Sequence, residues 1–321
     1  MPNPVDDYVQ FLHGQQRTGT ALSADRVLTG YETFLATRQK TPGDATADDL
    51  LAYQHHLSTS AACLATGTLA LSTQSTHLSV VRSFHRWLLR RGFTLTNPTR
   101  SLVLPKLAKR TVNKDELSQQ EAQALLETAG GVVESQKQGS AAWASALRDV
   151  SLIALGLASG LRRKELCEMP LTSLDVERNE IRVERHKGGV GRVLPVAGWA
   201  MSLMVAYRDA ARARLLRDRI SDFLFVGTRS LRVGHETLAH LITRFQKLTI
   251  AANPDLVELP GKHLTAHSLR VSFARLLFAN GCPIRSVNEL LLHNKLSTTA
   301  LYTPVSVDEL RHELIRVHPR C

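Results

Sequence analysis

Apolar residues recur at helical spacing over the N-terminal third of the chain, which predicts helices over residues 23–35, 46–57 and 75–91. Ser23 and Thr46 stand at the N-cap positions of the first two helices. Gly92 follows the third and is expected to end it. Residues 58–73, between the second and third helices, are rich in Ser, Thr and Ala and are predicted as a loop. The pattern indicates a small all-helical domain.

A second group of helical patterns follows a basic, proline-containing segment. Ser118 and Glu121 form a capping-box pattern, and residues 141–157 form a largely apolar helix that we expect at the centre of a second domain. Further helices are predicted over residues 199–217, from about His267, over residues 284–292 after Pro283, and after Ser306. We therefore predict a first domain at residues 1–98, a linker at 99–114 and a second domain at 115–321.

One stretch has the pattern of a β-hairpin. Residues 181–184 alternate apolar and polar side chains, a glycine-rich turn follows at 187–191, and residues 193–196 are again apolar. No other part of the chain gives a comparable strand pattern. The predicted fold class is therefore mainly α, with a small β-hairpin or sheet in the second domain.

Composition narrows the classes of partner. The formal net charge of +11 and a pI near 9.9 favour a polyanion, with nucleic acid ahead of an anionic membrane. No run approaches the ~18 apolar residues of a membrane span, and the N-terminus lacks the pattern of a signal peptide. The four cysteines are scattered and suggest neither a disulfide framework nor a zinc site. We expect a cytoplasmic protein without membrane association, cofactor or metal.

The C-terminal stretch supplies candidate chemistry. His267 and Arg270 are three residues apart and share a helix face, His293 ends the following helix, and Tyr302 comes nine residues later. An imidazole, a guanidinium and a phenol together suggest handling of an anion beside a hydroxyl nucleophile. Earlier in the chain, Arg162 follows Gly160, which fits a left-handed helix end.

Three features have simpler alternatives. Arg162 can belong to an ordinary basic surface cluster after a helix, and Lys187 can be a solvated turn residue. Basic side chains on the helix at 75–91, including Arg82, Arg86 and Arg90, can form a solvated face or face DNA; the net charge favours DNA.

Taken together, these motifs resemble the tyrosine recombinases. The resemblance rests on Gly160-Leu161-Arg162 with Glu165, on Lys187-Gly188 in a hairpin, and on His267-x-x-Arg270, His293 and Tyr302 in that order. The C-terminal tail and the small helical first domain resemble the Xer-like, two-domain members, whose first domain is a DNA-binding, core-binding domain. Two departures stand out: Leu292 replaces the usual glycine before His293, and Thr303-Pro304 follows the tyrosine.

The resemblance implies a chemistry and an assembly. Arg162 and Arg270 would clamp a DNA phosphate, and Tyr302 would attack it to form a 3′-phosphotyrosine without ATP or metal. His267 and His293 would donate hydrogen bonds, Lys187 would protonate the leaving oxygen, and Glu165 would support the site. The expected partner is a double-stranded recombination site held by a homotetramer on two sites, and the need for a second recombinase is left open. The alternatives are DNA relaxation of the type IB topoisomerase kind and a catalytically inactive DNA-binding relative.

Overall fold

The computed structural model describes residues 3–15, 17–59, 69–105, 115–183, 191–291 and 307–318. Over these residues the chain is mainly helical and contains a small antiparallel sheet. The predicted fold class is thus confirmed. The chain divides into two compact units, Met1–Val112 and Asn113–Cys321, and the division falls inside the segment predicted as a linker.

The described part of the N-terminal unit is helical throughout. Its elements are α1 (Pro4–Gly14), α2 (Thr18–Thr37), α3 (Ala47–Thr59), α4 (Leu71–Arg91) and a 3-10 turn (Pro98–Ser101). The sequence patterns missed α1, although Asn3 caps it by accepting a 2.9 Å hydrogen bond from the Val5 amide. The loop prediction for residues 58–73 was too long at both ends, since α3 includes Ser58 and Thr59 and α4 begins at Leu71; residues 60–68 lie outside the described chain.

Aromatic residues from three helices form the core of this unit. Tyr31, Tyr53 and Phe84 are buried, and the Tyr31 hydroxyl lies 2.9 Å from Nε2 of the equally buried His85. Burial lowers the pKa of His85 to about 4, because an imidazolium cannot be solvated there. The His85 ring is therefore neutral at physiological pH.

Asp49 is a second buried polar group in the N-terminal unit. Its side chain is 1% exposed and forms ion pairs with Arg38 (2.7 Å) and Lys40 (2.6 Å). The Thr46 amide and hydroxyl also donate to it, at 2.9 and 2.7 Å. Thr46 thereby caps the start of α3, as the sequence predicted. Burial alone would raise the pKa of Asp49, but these donors outweigh it and hold the pKa well below its usual range.

The start of the predicted linker belongs to the packed N-terminal unit. Leu102, just after the 3-10 turn, is 4% exposed within the core of that unit, and its carbonyl accepts a hydrogen bond from Arg82 of α4. The folded unit therefore extends past residue 98, the end that the sequence predicted for the first domain.

The C-terminal unit is built around one central helix. Its elements are α5 (Gln119–Glu134), α6 (Ala141–Ser159), α7 (Arg163–Cys167), β1 (Leu174–Asp175), β2 (Glu180–Val183), β3 (Arg192–Pro195), α8 (Gly198–Ala206), a π-helical turn (Tyr207–Ala211), α9 (Arg212–Leu216), α10 (His235–Ala252), α11 (Ala266–Ala279), α12 (Ile284–Leu291) and α13 (Val307–Val317). Ser118 and Glu121 cap α5 reciprocally, as their spacing predicted. Helix α6 is capped by Ser140 and is buried over most of its length.

Helix α6 corrects one expectation from the sequence. By length and mean hydropathy (1.3) it could cross a membrane, so the chain does contain an apolar run of that size. However, 78% of that run is buried inside the protein, as in the core helix of a water-soluble fold. The apolar composition of α6 therefore reflects its central position in the unit.

The three strands form an antiparallel sheet in the order β1-β2-β3. Strands β2 and β3 pair as the predicted hairpin, with Ile181 opposite Leu194 and Val183 opposite Arg192. The two-residue strand β1 was missed because so short a segment gives no alternation pattern. The helix predicted over residues 199–217 is interrupted at the π-helical turn, where the buried Tyr207 hydroxyl accepts a hydrogen bond from the Val226 amide at 3.2 Å.

Helix α13 packs on its own unit. Leu310, Leu314 and Val317 are buried, and Arg311 forms an ion pair with Glu180 of β2. The sequence predicted an apolar edge of Leu310, Leu314 and Ile315 for this helix. Leu310 and Leu314 are buried as predicted, but Ile315 is 59% exposed and Val317 is buried instead.

Candidate active site

Arg162 lies at the turn that follows the central helix. Helix α6 ends at Ser159, and Gly160 adopts a left-handed conformation (φ 59°), as its position in the sequence predicted. The Arg162 amide donates to Glu165 Oε2 at 2.7 Å, and its Nη1 donates to Glu165 Oε1 at 3.0 Å. Its side chain remains 47% exposed, so the guanidinium is both anchored and open to a ligand.

Arg270 reaches the same turn from helix α11. Its Nη1 donates a 2.6 Å hydrogen bond to the carbonyl of Gly160, and its Nη2 donates to the carbonyl of Leu291 at the end of α12. Burial, together with the positive charges of Arg162 and Arg192, lowers the pKa of Arg270 to about 10. The group is still protonated at neutral pH, and a guanidinium has five N–H donors, so these two carbonyls leave donors for a phosphate. The structure thus brings Arg162 and Arg270 together.

His267 lies in the first turn of α11, one helical turn before Arg270. Thr265 and Ser268 cap this helix reciprocally, with N–H to hydroxyl distances of 3.1 and 3.2 Å. The His267 side chain is exposed. It is therefore accessible to a ligand bound near the first turn of α11.

Arg192 is a cation of this site that the sequence analysis did not single out. It stands at the start of β3, its side chain is 10% exposed, and its Nη2 lies 3.3 Å from Glu165 Oε2. The signal available in the sequence was an arginine directly after a glycine-rich turn, which is too common to be diagnostic. Glu165 was predicted as a supporting residue, and the structure places it between two arginines.

The charge of the cluster suits a phosphodiester. Arg162 and Arg192 form ion pairs with the carboxylate of Glu165, and Arg270 lies near enough to interact with it electrostatically, so that the four groups carry two formal positive charges. A phosphodiester carries one negative charge and gains a second in a pentacovalent transition state. Guanidinium groups bind such oxygens with paired hydrogen bonds. The cluster can therefore bind this anion and stabilise the charge that develops on it.

Three predicted residues, Lys187, His293 and Tyr302, lie outside the described residues. In the sequence, Lys187 falls between β2 and β3, His293 is two residues past the end of α12, and Tyr302 is five residues before α13. Their assignments remain predictions from the motifs.

A cavity of about 260 Å³ adjoins the cluster but is unsuited to the same ligand. Glu165 and Glu168 both line it, together with Ser173 and Arg182. Two carboxylates in one wall disfavour an anion. Of the predicted site residues within the described chain, only Glu165 contributes to this cavity, so the exposed arginine cluster is the better phosphate site.

The N-terminal unit presents a separate basic groove between α1 and α4. It encloses about 530 Å³ and includes two of the predicted DNA-binding residues, Arg86 and Arg90, among the lining residues Tyr8, Phe11, Leu12, Gln15, Arg17, Ser83, Arg86, Trp87, Arg90 and Arg91. Arg91 stacks over Trp87 at 5.9 Å from the ring centroid. Arg82, the third predicted residue, instead donates to the Leu102 carbonyl and does not line the groove. Basic and aromatic side chains together suit a polyanion.

Comparison with known proteins places the chain among DNA recombinases and integrases. The model of the phage integrase family matches residues 116–309. The chain is 31% identical over 316 residues to a tyrosine recombinase XerD of Rhizobium meliloti (strain 1021), covering 98% of the chain and 94% of the relative. It is 28% identical over 326 residues to a tyrosine recombinase XerD of Staphylococcus saprophyticus, covering all of both chains.

Solved structures show the same fold. A Tn1549 transposon integrase in complex with transposon right end DNA aligns with a TM-score of 0.65 and 16% identity, over 98% of this chain and 99% of that one. A lambda integrase dimer bound to a COC′ core site aligns with a TM-score of 0.58 and 18% identity, over 95% and 98% of the two chains.

Fold, site and relatives together define a class: the protein is a tyrosine recombinase, an enzyme that cleaves and rejoins DNA. The family model covers more than half of its residues, so the chain belongs to the phage integrase family. Its activity is site-specific DNA recombination, and neither the topoisomerase nor the inactive alternative is favoured by these relatives.

Proposed function

We propose that the cluster of Arg162, Arg270 and Glu165 binds the scissile phosphate of a double-stranded recombination site. The observation that carries the proposal is the convergence of two arginines on one turn: Arg162 belongs to the turn, and Arg270 reaches it from α11 and is bonded to the Gly160 carbonyl. Held in this way, the two guanidinium groups can bind non-bridging oxygens without reorganising during the reaction.

The nucleophile and the proton donors are proposed from the motifs. The phenol of Tyr302 releases its proton to solvent and its oxygen attacks the phosphorus; a bond forms between them, and the bond from phosphorus to the 5′ oxygen breaks. Lys187 gives a proton to the departing 5′ oxygen, and His267 and His293 donate hydrogen bonds to the phosphate. A free phenol has a pKa of about 10, and a nearby cluster of positive charge lowers it.

The covalent step conserves the energy of the broken bond. The product is a 3′-phosphotyrosine, and a 5′ hydroxyl from another strand can attack it and release Tyr302. Strand exchange on this route consumes no ATP, and the charge that builds on the phosphate is met by arginine, lysine and histidine side chains. We accordingly propose that no metal or cofactor takes part.

The two units have different parts in this proposal. The N-terminal unit is a core-binding domain that contacts the duplex through Arg86 and Arg90 of its basic groove, whereas the C-terminal unit is the catalytic domain. Arg82 has a structural task instead, since it holds the carbonyl of Leu102. The relatives include recombinases solved as complexes with their DNA, which supports this assignment.

Recombination between two duplexes requires one nucleophile for each of four strands. We therefore propose a homotetramer on two DNA sites, acting in the cytoplasm; a tetramer that combines this chain with a second recombinase is the alternative assembly. Helix α13 packs on its own unit in the single chain, and its docking on a neighbouring subunit belongs to this proposed assembly.

The test is capture of the covalent intermediate. Duplexes selected from a random pool by binding would supply the recognition sequence, and a nick beside the cleavage position would let the short 5′ fragment diffuse away. We expect a protein–DNA adduct whose mass maps to the peptide containing Tyr302. Tyr302→Phe should abolish the adduct and leave binding of the duplex within about threefold, because only one hydroxyl is lost.

Two results would contradict the proposal. An adduct that persists in the Tyr302→Phe variant would place the nucleophile elsewhere. Relaxation of supercoiled DNA without preference for the selected sequence would instead favour the topoisomerase alternative.

A further inference from the structure

Glu165 is bonded on two sides, and the two sides belong to different parts of the site. On one side it accepts from the amide and from Nη1 of Arg162, at 2.7 and 3.0 Å. On the other side its Oε2 accepts from Nη2 of Arg192, at 3.3 Å. The exposed fraction of the side chain falls from 47% at Arg162 to 15% at Glu165 and 10% at Arg192. The bridge therefore runs from an exposed guanidinium to a nearly buried one.

Arg192 is well placed to act as the fixed end of this bridge. It begins β3, where Val183 of β2 is its partner in the sheet, so its backbone is set by strand pairing. Arg162, in contrast, follows a turn and presents a long side chain to solvent. An arginine side chain loses rotamer entropy when it is immobilised, and without the bridge this loss would fall on the step in which the phosphate binds. Because Arg192 already holds Glu165 in place, Glu165 can restrict the Arg162 side chain before the phosphate binds, which reduces that entropy loss.

We propose that Arg192 is a positioning residue of the cleavage reaction, acting through Glu165 on Arg162. This inference rests on the proposed function, because it assigns Arg192 a part in the same phosphate site. Arg192 does not need to touch DNA in this scheme. Its loss should slow the chemical step much more than it weakens DNA binding.

The experiment measures single-turnover cleavage of the nicked duplex at saturating protein, and binding of the intact duplex separately. Arg192→Gln should lower the cleavage rate about 10- to 100-fold, the range seen when the partner that orients a catalytic group is removed. The dissociation constant should change by less than about threefold. Arg192→Lys keeps the charge with a single donor group and should recover part of the rate. Arg178→Gln, at an exposed arginine between β1 and β2, is the matched control and should cleave normally.

A double-mutant cycle separates positioning from a purely structural role. In a Glu165→Gln background the further change Arg192→Gln should cost little additional rate, because the bridge is already broken. An equal loss in both backgrounds, or a loss of binding parallel to the loss of rate, would overturn the inference. If Arg192→Gln fails to fold, the same cycle with Arg192→Lys decides the matter.

The outcomes also separate this inference from the proposed function. A wild-type chain that forms no adduct at all overturns the proposed function and this inference with it. A wild-type chain that cleaves, together with an Arg192→Gln variant that cleaves at the same rate, overturns the inference alone. An adduct lost in Tyr302→Phe and a cleavage rate lowered in Arg192→Gln support both.

Discussion

Gly160 is the position where a single added methyl group should disturb fold and site together. The residue has φ 59°, and a Cβ built on it would lie 2.5 Å from Cδ1 of Phe273 in α11 and 2.9 Å from Cδ2 of Leu291 in α12. Both distances are below any ordinary contact. In addition, its carbonyl accepts the hydrogen bond from Arg270. The substitution Gly160→Ala therefore tests how closely the turn of the phosphate site packs against two helices.

The expected destabilisation has two parts. A left-handed backbone costs a residue with a Cβ about 1–2 kcal/mol. Inserting a methyl group against a buried phenylalanine ring adds about 1–3 kcal/mol of overpacking. The free energy of unfolding of the C-terminal unit should therefore fall by about 2–5 kcal/mol. At a urea dependence of about 2 kcal/mol per molar, the midpoint moves down by about 1–2.5 M.

Urea unfolding followed by tryptophan fluorescence measures this change in one unit. The chain has three tryptophans, and Trp143 and Trp199 both lie in the C-terminal unit. A Trp87→Phe background removes the signal of the N-terminal unit, so the remaining fluorescence follows the unit that contains Gly160. Cleavage of the nicked duplex would report on the phosphate site in parallel.

Substitutions of two other glycines separate the cost of the left-handed backbone from the cost of overpacking. Gly139 has φ 80° but open surroundings, with the side chain of Arg214 no nearer than 3.4 Å to a built Cβ, so Gly139→Ala should cost only the backbone part. Gly156 is helical, and its Cβ would lie 2.9 Å from Leu269 Cδ1. Gly156→Ala should therefore show overpacking alone, offset by about 1 kcal/mol of helix propensity. If Gly160→Ala costs no more than Gly139→Ala, the close packing argued here is wrong.

Two further predictions concern the N-terminal unit. Asp49→Asn should lower its free energy of unfolding at pH 7 by about 1–3 kcal/mol, with Arg38 and Lys40 still in contact with water, whereas the exposed Asp48→Asn should cost less. Because the pKa of Asp49 is depressed in the fold, its contribution to the free energy of unfolding is complete above the unfolded pKa of about 4 and is lost as pH falls below that value. Urea midpoints of the N-terminal unit at pH 7 and pH 3, read from Trp87 fluorescence in a background with Trp143 and Trp199 replaced by Phe, should therefore differ less in Asp49→Asn. An equal difference would contradict the reasoning. The double substitution of Arg86 and Arg90 by Gln should weaken binding of all duplexes and reduce the slope of log affinity against log salt by about 2, measured by fluorescence anisotropy; an unchanged slope would show that this groove does not contact phosphates.

Local signals in the sequence predicted much of the C-terminal unit. The capping box at Ser118 and Glu121 and the glycine at 160 each specify a backbone conformation through the residue itself, and both are found as predicted. The hairpin was recognisable because alternation and a glycine-rich turn act over a few residues. Signals of this range do not depend on the rest of the fold.

Other features depend on contacts between distant segments and left no local trace. The partners of Arg270 are carbonyls 110 and 21 residues away in the chain, and a carbonyl is present at every residue. Arg192 joined the site only because β3 and α7 come together at Glu165. In the sequence, Arg82 is equivalent to Arg86 and Arg90 as a basic residue of α4. It donates to the Leu102 carbonyl only because the chain after α4 brings Leu102 back to that helix.

Arg270 also sets how experiments on this site have to be interpreted. Leu291, whose carbonyl it holds, is the last residue of α12, and from there the chain continues toward His293 and Tyr302. A substitution of Arg270 would remove a phosphate contact and also the hydrogen bond that holds the end of α12. The loss of activity in such a variant would combine both effects. Only a substitution that disrupts the end of α12 and keeps Arg270 could separate them.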